Sequence, residues 1–191
     1  RDLVRSRGLG DVYKRQVAFL RAEGAAVFNW NMGGTAESFY NNGIALSFEQ
    51  YGVSGAEDYM ADATSVPATY YDPSSANPWS GSLPRVTVKW DESASAEQKQ
   101  ERIIIQKWIA NWTLGNEAWA DLRRTGYPSL IPVAANLSGG VVDSAKGPQR
   151  MPYPQEEYTN NSTNVRNAVN TLLGGPDNMA TKLWWAAKPN I

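Results

Sequence analysis

Aromatic rings set among amides and carboxylates are the residues of this sequence best placed to do chemistry. The stretch 70–79, YYDPSSANPW, carries Tyr70, Tyr71, Asp72, Asn77 and Trp79 close together. Flat indole and phenol rings stack on the apolar C–H faces of sugar rings, while neighbouring amides and carboxylates bond the hydroxyls. Trp30, in the turn NWNMGG, offers the same kind of platform. These rings have a second possible use, which is to pin their loops onto helices. Composition leaves both uses open.

Other chemistries lack their residues. The 191-residue chain has no Cys and no His, which removes thiol nucleophiles, His-based triads and ordinary zinc sites. Two acids flanking a glycosidic bond must face each other across about 5–10 Å. The pairs Asp91-Glu92 and Glu156-Glu157 are adjacent in sequence and point apart in regular structure. No Walker-type loop, GxSxG elbow or EF-hand loop is present. The reading is therefore a binding protein, with no catalysis, cofactor or metal expected. Arg123-Arg124 could hold an anion, but in a last helical turn such residues complement the dipole and bond free carbonyls. Glu157, Asn161 and Asn164 read as a local clasp on backbone groups.

The elements that would position these rings are mostly helices. Val17 to Phe28 has helix-forming composition. After the Gly-containing turn, Thr35 is a plausible N-cap for a helix carrying Ala36, Tyr40, Ile44, Phe48 and Tyr51 at intervals of three or four, stopped near Gly52. Two helices joined by so short a loop make an antiparallel hairpin. Residues 52–94 are punctuated by Ser, Pro, Gly and Asp; only Arg85–Trp90 alternates like a short strand. A loop of this length is usually functional. Helicity resumes after Ser95, whose spacing to Gln98 makes a capping box. Ile104, Ile105, Trp108, Ile109 and Trp112 form a stripe expected in the core. The pattern hesitates at 113–116, then continues through Trp119, also expected in the core, to Gly126 and Pro128. Beyond lie irregular segments, with one helix expected around Asn164 to Leu173. Trp184 and Trp185 alternate faces if the chain is extended, so at least one of them should be buried.

Residues 1–16, RDLVRSRGLGDVYKRQ, carry five basic residues against two acidic ones, on a chain that is net acidic. The string resembles translated sequencing adapter. It is expected to be a non-native leader, with the protein proper occupying 17–191. A 42% hydrophobic and 19% charged composition suits one globular domain. No apolar run is long enough to span a membrane, and no basic patch for nucleic acid remains once the leader is removed.

The segment Gln106–Pro128, QKWIANWTLGNEAWADLRRTGYP, resembles the late helix of the SusD/RagB family, in which QKW leads to EAW and then RRTGYP. MPYPQEEYTNNSTN (151–164) is similar to the family's tail, through Tyr153-Pro154, Glu157, Asn161 and Asn164. Thr181–Trp185 is similar to its closing strand, and Thr35–Tyr51 to a helix of the subset called SusD-like group two. Leu122 departs from the pattern, standing where an aromatic is common. The resemblance covers 17–191 as the C-terminal part of a family member. It implies a mostly α, TPR-like helical fold with long irregular loops and few short strands. It further implies a protein lipid-anchored, by a segment absent here, at the outer membrane and cell surface. There it would capture a glycan or other nutrient oligomer without catalysis, for delivery to a SusC-like TonB-dependent transporter. From the residue types alone, Tyr70, Tyr71, Asp72, Asn77, Trp79 and Trp30 are the candidate ligand contacts. The rival is a helical scaffold that contacts the transporter, with the ligand site in the N-terminal part.

Overall fold

Thr35 begins the best-defined element. Its extended backbone leaves its hydroxyl free to accept from Ser38 N, and the helix it caps runs to Gly52, whose left-handed φ of 66° ends it. A computed structural model describes residues 9–81, 83, 85–186 and 188. Among them are seven helices: α1 (Leu9–Phe28), α2 (Ala36–Tyr51), α3 (Ala56–Ala61), α4 (Ala96–Ala110), α5 (Gly115–Thr125), α6 (Gln155–Asn160) and α7 (Ser162–Thr171). The chain is mostly α with long irregular loops, and no strand occurs among the described residues. It divides into two units, one of residues 1–68 and 84–120, the other of 69–83 and 121–191.

In the first unit, α1 and α2 form the expected antiparallel hairpin. Arg21 lies over the Phe39 ring, Phe19 meets Tyr40, and Arg15 reaches Tyr51, so positions climb one helix as they descend the other. The helices approach closely at Gly43, where a Cβ would lie 2.8 Å from the Phe19 ring. Phe19, Ala22, Phe39, Tyr40, Ile44, Trp90, Ile103 and Ala110 form one buried cluster. Tyr40 sits at its centre, edge-on to Phe19 at 6.3 Å and tilted against Trp90 at 5.2 Å. Its hydroxyl donates to Val88 O at 2.6 Å, and burial pushes its pKa up.

Several boundaries differ from expectation. Helix α1 starts at Leu9 rather than Val17, and Arg15 and Gln16 are buried along it. Helix α3 was not expected; Gly55 at its N-cap has a φ of 89°. Arg85–Trp90 is not a strand. Its alternation marks Val88 and Trp90 packing inward, while two side chains and one loop carbonyl take backbone groups that a neighbouring strand would have paired. Arg102 Nε donates to Thr87 O, Tyr40 to Val88 O, and Lys89 N to Asp62 O.

The capping box at Ser95 forms as expected, each partner bonding the other's backbone. Helix α4, however, buries Gln100, Arg102, Ile103, Ile104, Gln106, Lys107 and Ala110. The buried face is thus rotated from the expected stripe, of which Ile104 alone is fully buried. Trp108 is half-buried, Ile109 exposed and Trp112 72% exposed. For Trp112 the reason is local: α4 ends at Ala110, and Thr113 adopts a φ of 73°, so Trp112 lies beyond the periodic face.

The second unit has little apolar interior. Val165 and Ala186 are its buried hydrophobic residues among those described. Polar contacts hold it instead. Asp177 pairs with Arg150 and accepts from Tyr158 Oη at 2.7 Å and from Tyr153 N at 3.2 Å. Burial pushes the Asp177 carboxyl up, but the hydrogen bonds from Tyr158, Arg150 and Tyr153 outweigh it and hold the group below the usual range. Helix α7 matches the helix expected around Asn164–Leu173, whereas α6 was not expected. Thr181–Trp185 forms no strand, and neither ring is buried as expected: Trp184 is exposed, and Trp185 lies half-buried with the Arg123 guanidinium 4.8 Å from its ring.

Candidate functional site

The loop 70–79 is built by Asp72. Its Oδ1 accepts from Ser74 N at 3.0 Å and Ser74 Oγ at 2.8 Å, and its Oδ2 accepts from Asn77 N at 2.8 Å. Asp72 O takes Ser75 N, with Ser75 at a φ of 54°. These bonds, the one from Asn77 N foremost, hold the carboxyl below its ordinary pKa. Asn77 continues the chain of contacts. Its Oδ1 accepts from Trp79 N at 3.2 Å and its Nδ2 donates to Pro132 O at 3.0 Å. Asp72 and Asn77 therefore spend most of their hydrogen-bonding capacity on shaping the loop.

That shape positions rings. Tyr70 and Trp79 meet edge-to-face, with centroids 6.0 Å apart at 65°. Trp79 folds over the backbone of Gly81, where a Cβ would lie 2.5 Å from the indole. Any side chain at 81 would displace the ring. Tyr70 and Trp79 are half-buried, while Tyr71 stands 79% exposed. Two half-buried rings beside one open phenol provide flat apolar faces on a braced loop, which suits stacking. The loop has no acid–base pair of its own, since its one carboxylate is engaged in the turn.

Trp30 belongs to the other unit. It stacks on Phe28 with centroids 4.9 Å apart and 26° between planes, and it is 62% exposed. The structure thus brings Tyr70, Asp72, Asn77 and Trp79 together, leaves Tyr71 open beside them, and sets Trp30 in a separate body.

The remaining candidates are structural. Arg123 is buried and donates to Gln149 O at 3.0 Å; burial lowers its pKa. Arg124 pairs with Asp121 at 3.2 Å within α5. Asn161 Nδ2 donates to Glu157 Oε2 at 3.0 Å, and Asn164 Nδ2 to Asn161 Oδ1 at 2.7 Å, so the three residues bond one another rather than the backbone groups expected. Asp91 accepts from Ser93 N and Oγ, and Glu92 from Trp90 Nε1 and Lys99 Nζ. No group of three or more His, Cys, Asp or Glu residues able to hold a metal occurs among the described residues. Sequence reasoning did not find the exposure of Trp112; Thr113 and Gly115, just past the end of α4, were the available signal that the helical stripe stops there.

Comparison with known proteins accounts for this architecture. The family model described as SusD-like, SusD and RagB outer membrane lipoprotein, matches residues 14–186. A solved SusD homolog from Bacteroides uniformis is 63% identical, with a TM-score of 0.88 over 91% of this chain and 36% of its own length. A chitin-binding SusD homolog from Flavobacterium johnsoniae is 48% identical, with a TM-score of 0.85 over 93% of this chain and 36% of its own. A SusD homolog from Bacteroides ovatus is 49% identical, with a TM-score of 0.82 over 91% of this chain and 37% of its own. The chain therefore spans little more than a third of the length of these solved relatives. No curated protein matches it. No helix among the described residues is long and apolar enough to cross a membrane. The helical hairpin, the late helices and the sequence agreement converge on one conclusion: the chain belongs to the SusD-like family.

Proposed function

We propose that this chain is part of a non-catalytic, lipid-anchored protein of the bacterial outer membrane that captures glycan at the cell surface for a SusC-like TonB-dependent transporter. The observation that carries the reading is the match over residues 14–186 to a family of outer membrane lipoproteins. The relative from Flavobacterium johnsoniae, described as chitin-binding, favours glycan as the ligand class. Tyr71 and the Tyr70–Trp79 pair supply stacking faces, with Asp72 and Asn77 bracing them and lending their remaining lone pairs to hydroxyls. Residues 1–16 are read as a non-native leader. A few stacked rings and hydrogen bonds correspond to dissociation constants of roughly micromolar to millimolar order.

Titration with hexasaccharides of β-1,4-N-acetylglucosamine, β-1,4-glucose, α-1,4-glucose and β-1,4-xylose tests this. Binding of at least one is expected, and it should weaken in the Tyr70→Ala/Tyr71→Ala/Trp79→Ala variant. A second reading takes the chain as a helical scaffold for the transporter, with the ligand held elsewhere in the longer protein. It is favoured by the 36% span of the relatives. Binding by a full-length homolog but not by this chain would select it.

A further inference from the structure

The turn after α1 presents its indole outward, and several contacts brace the turn. Trp30 N donates to Gly24 O at 3.0 Å, and a Cβ on Gly24 would lie 3.4 Å from the indole edge. Phe28 covers one side of the ring. The Arg21 guanidinium forks onto Met32 O while lying 3.9 Å from the Phe39 ring centroid, which fixes the far side of the turn. Gly33, at a φ of 79°, donates its N–H to Asn31 Oδ1. Asn29 holds a φ of 53°. An aromatic pair kept this exposed on a braced turn leaves apolar area in water, a feature typical of a contact surface.

The ring faces a cleft of about 570 Å3 that Asn29, Trp30, Asn31, Glu37, Glu92 and Lys99 help to line. That size falls within the roughly 300–1,000 Å3 of small-ligand sites. Glu92 is already oriented: Trp90 Nε1 donates to one oxygen at 2.7 Å and Lys99 Nζ to the other at 3.0 Å, while the side chain stays open to solvent. Both its oxygens keep lone pairs for an incoming hydroxyl. Nothing among the described residues bonds the Asn31 amide nitrogen or the Trp30 indole N–H. One open π-face with amide donors and carboxylate acceptors around it complements a pyranose ring, which has an apolar C–H face and a rim of hydroxyls.

We propose that this cleft is a second carbohydrate subsite, taking one pyranose unit with its apolar face on Trp30, independent of the 70–79 loop. The inference rests on the glycan-capture reading. Its test is isothermal titration of the chain with the four hexasaccharides above, using wild type, Trp30→Ala, Asn29→Gly and the loop triple variant. Asn29→Gly removes the amide while keeping the left-handed backbone. Circular dichroism checks each fold. For a hexasaccharide that binds, Trp30→Ala should weaken binding about tenfold and abolish whatever the loop variant retains; Asn29→Gly should weaken it severalfold. Wild-type affinity in Trp30→Ala, with all binding lost in the loop variant, would overturn the subsite and leave glycan capture standing. Binding to none of the four by wild type would overturn both.

Discussion

The two units hold themselves together by different means. The first buries a continuous apolar cluster around Tyr40, assembled from α1, α2, α4 and the stretch before Ser95. The second buries two hydrophobic residues among those described and relies on Asp177, Arg150, Tyr158 and Asn77 to tie distant stretches together. Apolar burial is non-directional and acid-insensitive, while a carboxylate-centred network depends on geometry and on charge. The first unit should therefore yield to lost volume, the second to lost charge.

The largest expected effect is that of Tyr40→Ala. It opens a cavity and leaves Val88 O without its donor, at a cost of about 3–5 kcal/mol. Hydrogen exchange should show protection falling in α1, α2 and α4. Equal loss in α7 would mean that the units unfold as one, and the contrast would fail. Next is Asp177→Ala, which strands the buried Arg150 guanidinium and costs about 3 kcal/mol. Here protection should fall around Tyr153 and α6.

Acid makes the same point without mutation. The folded Asp177 carboxyl titrates below its unfolded value, so its contribution is present above about pH 4 and is lost as pH falls through the lowered value. Melting followed by exchange from pH 7 to pH 3 should loosen the second unit first. The reverse order would contradict the assignment.

Gly81→Ala should push the Trp79 indole off its seat at a cost of about 1–2 kcal/mol, seen as a shift of the Trp79 indole N–H resonance. Smallest is Ser95→Ala, a loss of about 1 kcal/mol confined to the start of α4, read from the melting temperature.

Legibility followed the same division. Thr35, Gly52 and Ser95 announce helix ends through local bonds, so α2 and the start of α4 could be placed from sequence. Trp112 misled because a periodic stripe says nothing about where the helix stops. Arg85–Trp90 misled because alternation reports burial and does not reveal which groups satisfy the backbone. In the second unit, the bonds that matter join residues far apart in sequence, Arg150 to Asp177 and Asn77 to Pro132, and leave no periodic trace. The aromatic loop could be located by composition, but the inward commitment of Asp72 and Asn77 could not.

The stretch Val86-Thr-Val-Lys-Trp90 has the composition of a segment prone to self-assembly, β-branched and aromatic with one charge inside it. Here three of its main-chain groups are already taken, by Arg102, by Tyr40 and by the carbonyl of Asp62. A second copy would meet a ladder interrupted at three successive residues. The side chains that spoil this segment as a strand also guard it against fibre formation.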